Sequence, residues 1–220
     1  MASSKDIASA MNLQLNNIGK RYNYQWIFRG LNLDVKNSEV VAIKGSNGSG
    51  KTTLMSILSG YQAPSEGNIE WLDEQEKIIS PDKIFKHITW CSPATELPEE
   101  FTLNEMIEFQ AKFKPWLFGI STSKIIEITQ LQSQAHQPIS SFSTGMKQRL
   151  KVALAILADV KMVLLDEPTS NLDEWGIEWY KKLIQQYSSN RIIIIASNMQ
   201  HDFINVDKEI NMIDFKIIKN

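Results

Sequence analysis

Apolar residues fall along this chain in two rhythms, and the rhythms separate its elements. In Leu13-Gln14-Leu15-Asn16-Asn17-Ile18 and Gly30-Leu31-Asn32-Leu33-Asp34-Val35 apolar and polar positions alternate, as in strands with one buried face. Residues 39–44, 161–166 and 191–196 are instead short apolar runs, of the length expected for strands buried on both faces. Shorter strands are predicted at 68–72, 77–79 and 87–91. Helical spacing marks residues 53–59, closed by Gly60. It returns at 102–131, where Thr102-Leu103-Asn104-Glu105 has the form of a capping box and Met106, Ile107, Phe109 and Phe113 supply an apolar side. Pro115 ends that helix, and a second is predicted at 121–131, with Ile125, Ile128 and Leu131 on one face. Residues 143–159 carry Met146, Leu150, Ala153, Leu154 and Leu157 at helical spacing, and 173–187 form an amphipathic helix containing Trp175 and Trp179. Residues 209–213 and 215–218 predict a terminal hairpin through Asp214. Lys20-Arg21-Tyr22-Asn23-Tyr24-Gln25-Trp26 predicts an aromatic and basic loop, or a hairpin whose rings cover the sheet edge.

Strands interleaved with helices predict an α/β domain with a parallel core, and the alternating strands predict an antiparallel sheet beside it. One domain is expected over residues 11–220, with a helical insertion at about 93–150. Residues 1–10 are polar with a single Lys; they are expected to be a flexible tail and carry no signal-peptide pattern. With 43% hydrophobic and 22% charged residues, the chain has the make-up of a soluble globular protein. A net charge of −2 gives no footprint for nucleic acid, and none is expected as a partner. Cys91 is the sole cysteine, which excludes an internal disulfide framework and suits a reducing compartment. No apolar run approaches the ~20 residues of a spanning helix, so work at a membrane would require recruitment by another chain.

The chemistry is concentrated at Gly45-Ser46-Asn47-Gly48-Ser49-Gly50-Lys51-Thr52, which matches G-x-x-x-x-G-K-[ST]. Glycines let the backbone curl so that consecutive N–H groups point at phosphate oxygens. Lys51 can reach β- and γ-phosphates, and the Thr52 hydroxyl can ligate Mg²⁺. A predicted strand before the loop and a helix from Thr53 after it deliver the phosphate to a helix N-terminus. A second candidate is Asp166-Glu167-Pro168, at the end of the apolar run 161–166. Asp166 can hold Mg²⁺ directly or through water, and Glu167 can accept a proton from water attacking the γ-phosphate. A third is the Ser/Gly cluster around Ser143-Thr144-Gly145, an N-cap that is also a possible anion site.

In order and spacing these motifs resemble the nucleotide-binding domain of the ATP-binding cassette (ABC) family, over about residues 13–218. The signature position reads Phe142-Ser143-Thr144-Gly145-Met146, and the loop after the acidic pair reads Thr169-Ser170-Asn171-Leu172-Asp173. The resemblance implies an α/β P-loop NTPase fold: a RecA-like parallel core, an antiparallel β-subdomain and an inserted α-helical subdomain. It implies ATP and Mg²⁺ as ligands, with Gly45 to Thr53 around the phosphates. It also implies a homodimer or heterodimer closed by ATP, in which Ser143 and Gly145 of one copy touch the γ-phosphate held by the other and Asp173 lies on the interface. Tyr22 stands where the family stacks an aromatic ring on adenine, with Tyr24 and Trp26 as nearby competitors. Two departures stand out. Trp90-Cys91-Ser92-Pro93-Ala94-Thr95-Glu96 lacks the family's Gln, and Asn198 replaces its His, so a hydrogen-bond donor remains but no proton carrier. His201, three residues on, is expected at the surface.

The function implied is the ATP-binding and ATP-hydrolysing subunit of a transporter, cytoplasmic, on the inner face of the membrane. It would dock transmembrane permease subunits through residues 91–131. The alternatives are a soluble ABC-type ATPase, which would ordinarily bring a coiled coil or tandem cassettes, and a nucleotide-dependent switch with little turnover.

Overall fold

A computed structural model describes residues 10–216. Its centre is a five-stranded parallel sheet in the order β6-β7-β8-β3-β9, built from β3 (Val40–Lys44), β6 (Ile88–Cys91), β7 (Met162–Asp166), β8 (Ile192–Ser197) and β9 (Lys208–Asn211). Beside it lies an antiparallel sheet in the order β2-β1-β4-β5, from β1 (Asn12–Tyr22), β2 (Gln25–Val35), β4 (Glu66–Leu72) and β5 (Ile78–Ile79). The helices are α1 (Lys51–Leu58), the single turn α2 (Pro81–Ile84), α3 (Leu103–Phe113), α4 (Thr122–Thr129), α5 (Thr144–Leu157) and α6 (Glu174–Tyr187).

The unbroken apolar runs are explained by what covers the two faces of the parallel sheet. Val163, Leu165, Ile193 and Ile195 belong to a core shared with α3, α4, α5 and α6. Met162, Leu164, Ile192 and Ile194 point the other way, into a core with α1 and the antiparallel sheet. Alternate residues of a strand face opposite sides, so two buried faces leave no polar position. α3 starts as the sequence requires: Thr102 and Glu105 form a complete capping box. Ser121, Ser143 and Asp173 cap α4, α5 and α6 with their side chains.

One expectation is settled between its alternatives, and one is corrected. The segment from Lys20 to Trp26 is the hairpin and not an open loop. β1 and β2 run into it, pairing Arg21 with Trp26 and Tyr22 with Gln25, and Asn23 at φ 53 makes the tight turn. The terminal hairpin does not form among the described residues. β9 pairs parallel with β3, from Val41–Lys208 to Lys44–Asn211, and Met212–Phe215 then turns as a 3₁₀ helix whose Ile213 N–H donates to Asn211 Oδ1 at 3.3 Å. Ile210 and Met212 are buried there, a gain that the free second strand of a hairpin would forgo. Residues 217 and 218 of that proposal, and nearly all of the expected tail at 1–10, lie outside the described residues.

At the base of the sheet a buried arginine closes two helices. Arg191 donates from Nη1 to the Ala158 carbonyl at 2.9 Å and from Nη2 to the Ile156 carbonyl at 2.5 Å and to that of Tyr187. Burial pushes its pKa down to about 10. Helix ends leave carbonyls without intrahelical donors, and one guanidinium meets several. Arg191→Ala is expected to lower the unfolding free energy by about 2–4 kcal/mol, measured by urea titration, with Arg191→Lys recovering only part of the loss.

Candidate functional site

The parallel strands end together, and the loops that follow β3, β6, β7 and β8 line neighbouring hollows, where α/β sheets ordinarily bind ligands. Gly45, Gly48 and Gly50 take φ of 152°, 73° and 105°. A Cβ at Gly45 would meet Ser49 Oγ at 2.5 Å, and one at Gly50 would meet Ile27 at 2.8 Å, so the curl admits no larger residue at either place. α1 begins at Lys51 with no side-chain cap and no acidic residue in its first turn, leaving its N-terminus to an anion. Lys51 is 5% exposed, and its ammonium donates to the Gly45 carbonyl at 2.8 Å and the Ser46 carbonyl at 3.3 Å. It lies 3.9 Å from Glu167 Oε1.

Asp166 ends β7 and is 1% exposed. Burial raises its carboxyl above the usual carboxylate range, and adjacent Glu167 adds to the rise. The hydrogen bond from Thr52 Oγ1 to Asp166 Oδ2, at 2.7 Å, and the charge of Lys51 oppose it. A buried carboxylate facing a hydroxyl suits Mg²⁺, which takes one or two protein oxygens and leaves its other positions to water and phosphate. No cluster of three or more His, Cys, Asp or Glu able to hold a metal occurs among the described residues, so a protein-only cage is not what this site offers. Glu167 follows with φ 48, a strained backbone for a residue with a side chain, and its N–H is held by the Ala196 carbonyl at 2.8 Å.

Lys51, Thr52, Thr53, Asn47, Gly48, Gly50, Asp166 and Glu167 line one cavity of ≈ 420 Å³. Two further lining residues, Ile27 and Pro93, were not singled out from sequence. Pro93 lies within the segment that lacks the family's Gln. Asn198 Nδ2 reaches Asn47 Oδ1 at 3.4 Å and so meets the loop at its side. Tyr22 does not line this cavity. The residue is 46% exposed, its hydroxyl donates to Gln62 Oε1 at 2.9 Å, and the Lys20 ammonium lies 5.5 Å from the ring centroid.

Ser143 and Gly145 are not brought to the phosphate loop. With Arg149, Asn171, Asp173 and Trp175 they line a separate cavity of ≈ 270 Å³. Ser143 Oγ accepts from the Met146 N–H at 3.2 Å, and the Arg149 guanidinium lies 4.9 Å from the Trp175 ring centroid. The stacked Trp175 carried no sequence signal beyond its place on an amphipathic helix. His201 departs from expectation: it is half-buried, with Nε2 at 3.0 Å from Thr169 Oγ1.

The sequence profile of the ABC transporter family matches residues 28–170. The lantibiotic transport ATP-binding protein SrtF of Streptococcus pyogenes is 28% identical over 198 residues, covering 84% of this chain and 79% of that protein. The bacitracin transport ATP-binding protein BcrA of Bacillus licheniformis is 31% identical over 187 residues, covering 83% of this chain and 60% of that protein. Among solved structures, an ATP-binding subunit of an ABC transporter superposes with a TM-score of 0.71 at 22% identity, covering 85% of this chain and 79% of that one. A bacterial Atm1-family ABC exporter with ATP bound gives a TM-score of 0.76 at 19% identity, covering 94% of this chain and 38% of that one. At these identities the two structures speak for the fold.

The raised pKa of Asp166 has a consequence for stability. Its ionised form is disfavoured in the fold relative to the unfolded chain, so ionisation destabilises the fold above the unfolded pKa, and the penalty fades as pH falls. Asp166→Asn, which keeps an acceptor for Thr52, is therefore expected to melt no lower than the wild type at neutral pH without ligands. It should also lose the rise in Tm that Mg²⁺ with ATP gives the wild type. Calorimetric scans with and without Mg-ATP check both halves.

Proposed function

The chain belongs to the ABC transporter family, as the subunit that binds and hydrolyses ATP, and on that premise we propose a role for each residue of its phosphate cavity. The observation that carries the proposal is the convergence of Lys51, Thr52, Asp166 and Glu167 on one hollow at the C-terminal ends of β3 and β7. The N–H groups of Gly45 to Thr53 cradle the β- and γ-phosphates. Lys51 exchanges its two loop carbonyls for phosphate oxygens. Thr52 and Asp166 hold Mg²⁺, which, when bound, neutralises charge gathering on the phosphate oxygens. Glu167 takes a proton from the water that attacks the γ-phosphorus, while the bond to the bridging oxygen breaks and ADP leaves. Asn198 donates its amide to the γ-phosphate, and Tyr22 stacks on the adenine. Asn198 cannot carry a proton, which favours a second reading, slow turnover in a nucleotide-driven switch.

The same proposal extends to assembly. Two copies, or this chain and a relative, close head to tail, so that Ser143 and Gly145 of one cover the γ-phosphate held by the other. The separate hollow around Ser143 supports this, because it contains no residue of the phosphate loop. Membrane-spanning subunits dock at residues 91–131, where Phe109 and Phe113 lie exposed beside a hollow of ≈ 250 Å³ lined by Trp90, Leu97 and Lys114. No helix among the described residues is long and apolar enough to cross a membrane itself. The working place is then the cytoplasmic face of the membrane. The unit is a single cassette over 11–220, with 93–150 as its helical part.

Lys51→Ala is expected to cut ATP turnover at least about a hundredfold. An unchanged rate would refute the site. Glu167→Gln with Mg-ATP is expected to stop turnover and shift the particle to twice its mass in light scattering. Equal slow rates in wild type and Glu167→Gln would favour the switch, and a monomer under every nucleotide condition would sink the closed pair.

A further inference from the structure

Behind the proposed catalytic pair lies a buried polar hub that no motif announces. Asp202 is 1% exposed, and both of its carboxylate oxygens are taken. Thr169 Oγ1 donates to Oδ1 at 2.5 Å, and Ser197 Oγ donates to Oδ2 at 2.5 Å. His201 Nε2 stands 3.0 Å from the same Thr169 hydroxyl and 3.8 Å from Asp202 Oδ1. Ser197 Oγ also accepts from the Met199 N–H at 3.0 Å, and the buried Tyr180 hydroxyl donates to the Asp202 main-chain carbonyl at 3.0 Å. The two hydroxyls that face the carboxylate come from different elements, the loop after β7 and the last residue of β8. Thr169 is two residues after Glu167, and Ser197 immediately precedes Asn198. Glu167 and Asn198 line one hollow of ≈ 310 Å³ together with Thr169, Ser197, His201 and Asp202.

We propose that Asp202 is a positioning residue for ATP hydrolysis, fixing Glu167 through Thr169 and Asn198 through Ser197. A buried carboxylate is a poor way to gain stability, since apolar groups of the same shape usually do as well. What it supplies is a single arrangement of the loop after β7 and the end of β8, because its two oxygens face two donors at once. The strained φ of Glu167 needs such outside support to persist. The hub stands apart from nucleotide binding: Thr169, Ser197 and Asp202 do not line the phosphate cavity. Loosening it should therefore act on turnover and spare affinity, since small misplacements of reacting groups are costly to rate. This inference rests on the roles proposed above for Glu167 and Asn198.

The test compares purified wild type, Glu167→Gln, Thr169→Val, Thr169→Ser, Ser197→Ala and Asp202→Asn, by steady-state ATP hydrolysis and by equilibrium binding of ATP. Activity in the wild type that is lost in Glu167→Gln establishes the underlying reading first. Against that baseline, kcat is expected to fall about ten- to hundredfold in Thr169→Val, Ser197→Ala and Asp202→Asn, with KM and Kd for ATP within about twofold. Thr169→Ser, which restores the hydroxyl, should restore most of kcat. Unchanged kcat in Thr169→Val, or a loss of affinity matching the loss of rate, would overturn the role of Asp202 while leaving that of Glu167 standing. Should Asp202→Asn fail to fold, the Thr169 pair decides alone.

Discussion

A buried ammonium must hold something, and Lys51 holds the loop it belongs to. Its bonds to the Gly45 and Ser46 carbonyls close the curl from inside, and the curl exists because three glycines accept backbone angles that other residues resist. The framework serves that loop. β3 is clamped between β8 and β9, and α1 packs Leu54 to Leu58 against the same sheet. A phosphate oxygen offers Lys51 what the carbonyls now offer, together with a full negative charge, so exchange costs the lysine little. The loop is held open in a form already shaped for the anion.

Sheet order explains how a carboxylate more than a hundred residues away reaches this loop. β7 is not a neighbour of β3; β8 lies between them. Asp166 is in register with Ala196, and Ile43 is in register with the same Ala196. A small residue at that crossing leaves room for Asp166 to lean over β8 to Thr52, at 2.7 Å. Burial beneath the loop then raises the carboxyl's pKa, and the nearest relief is a cation. Glu167, one residue further along, has left the sheet and keeps a third of its side chain in solvent. Neighbours in sequence thus differ in environment, as the roles proposed for them, holding a metal and moving a proton, would require.

Much of this was legible in the sequence, for physical reasons. The runs at 161–166 and 191–196 announced strands covered on both sides, and Thr102, Ser143 and Asp173 announced helix starts, because caps and periodicity are local signals. Partners were not legible. Nothing in residues 208–211 says that they lie parallel to β3, since periodicity reports which face is buried and not what buries it. The segment at 20–26 read as a loop or a hairpin, because its aromatic and basic residues hide the alternation. Its strand pairing comes from Asn23, which supplies the turn. The hub at Asp202 was invisible for the same reason: Thr169 and Asp202 are 33 residues apart, and each alone reads as an ordinary polar loop residue. His201, expected at the surface, is drawn in by that hub.

The stretch from Glu167 to Asp173 joins what the molecule keeps apart. Its first residue lines the phosphate cavity, and Asn171, Leu172 and Asp173 line the hollow around Ser143. Two left-handed residues, Glu167 and Asn171, turn it, and Gln148 of α5 pins it by donating to the Pro168 carbonyl at 2.8 Å. The second end is pinned too, because Asp173 caps α6 through the Gly176 N–H at 2.8 Å. A short segment tied at both ends cannot shift at one hollow without loading the other. Under the proposed pairing, the γ-phosphate held beside Glu167 in one copy is covered by Ser143 of the second. Each copy's stretch would then register the state of its own nucleotide at one end and the partner's at the other. A link this short needs no relay through the body of the domain, and its stiffness is set by the same buried groups, Gln148 and Asp202, that hold it in place.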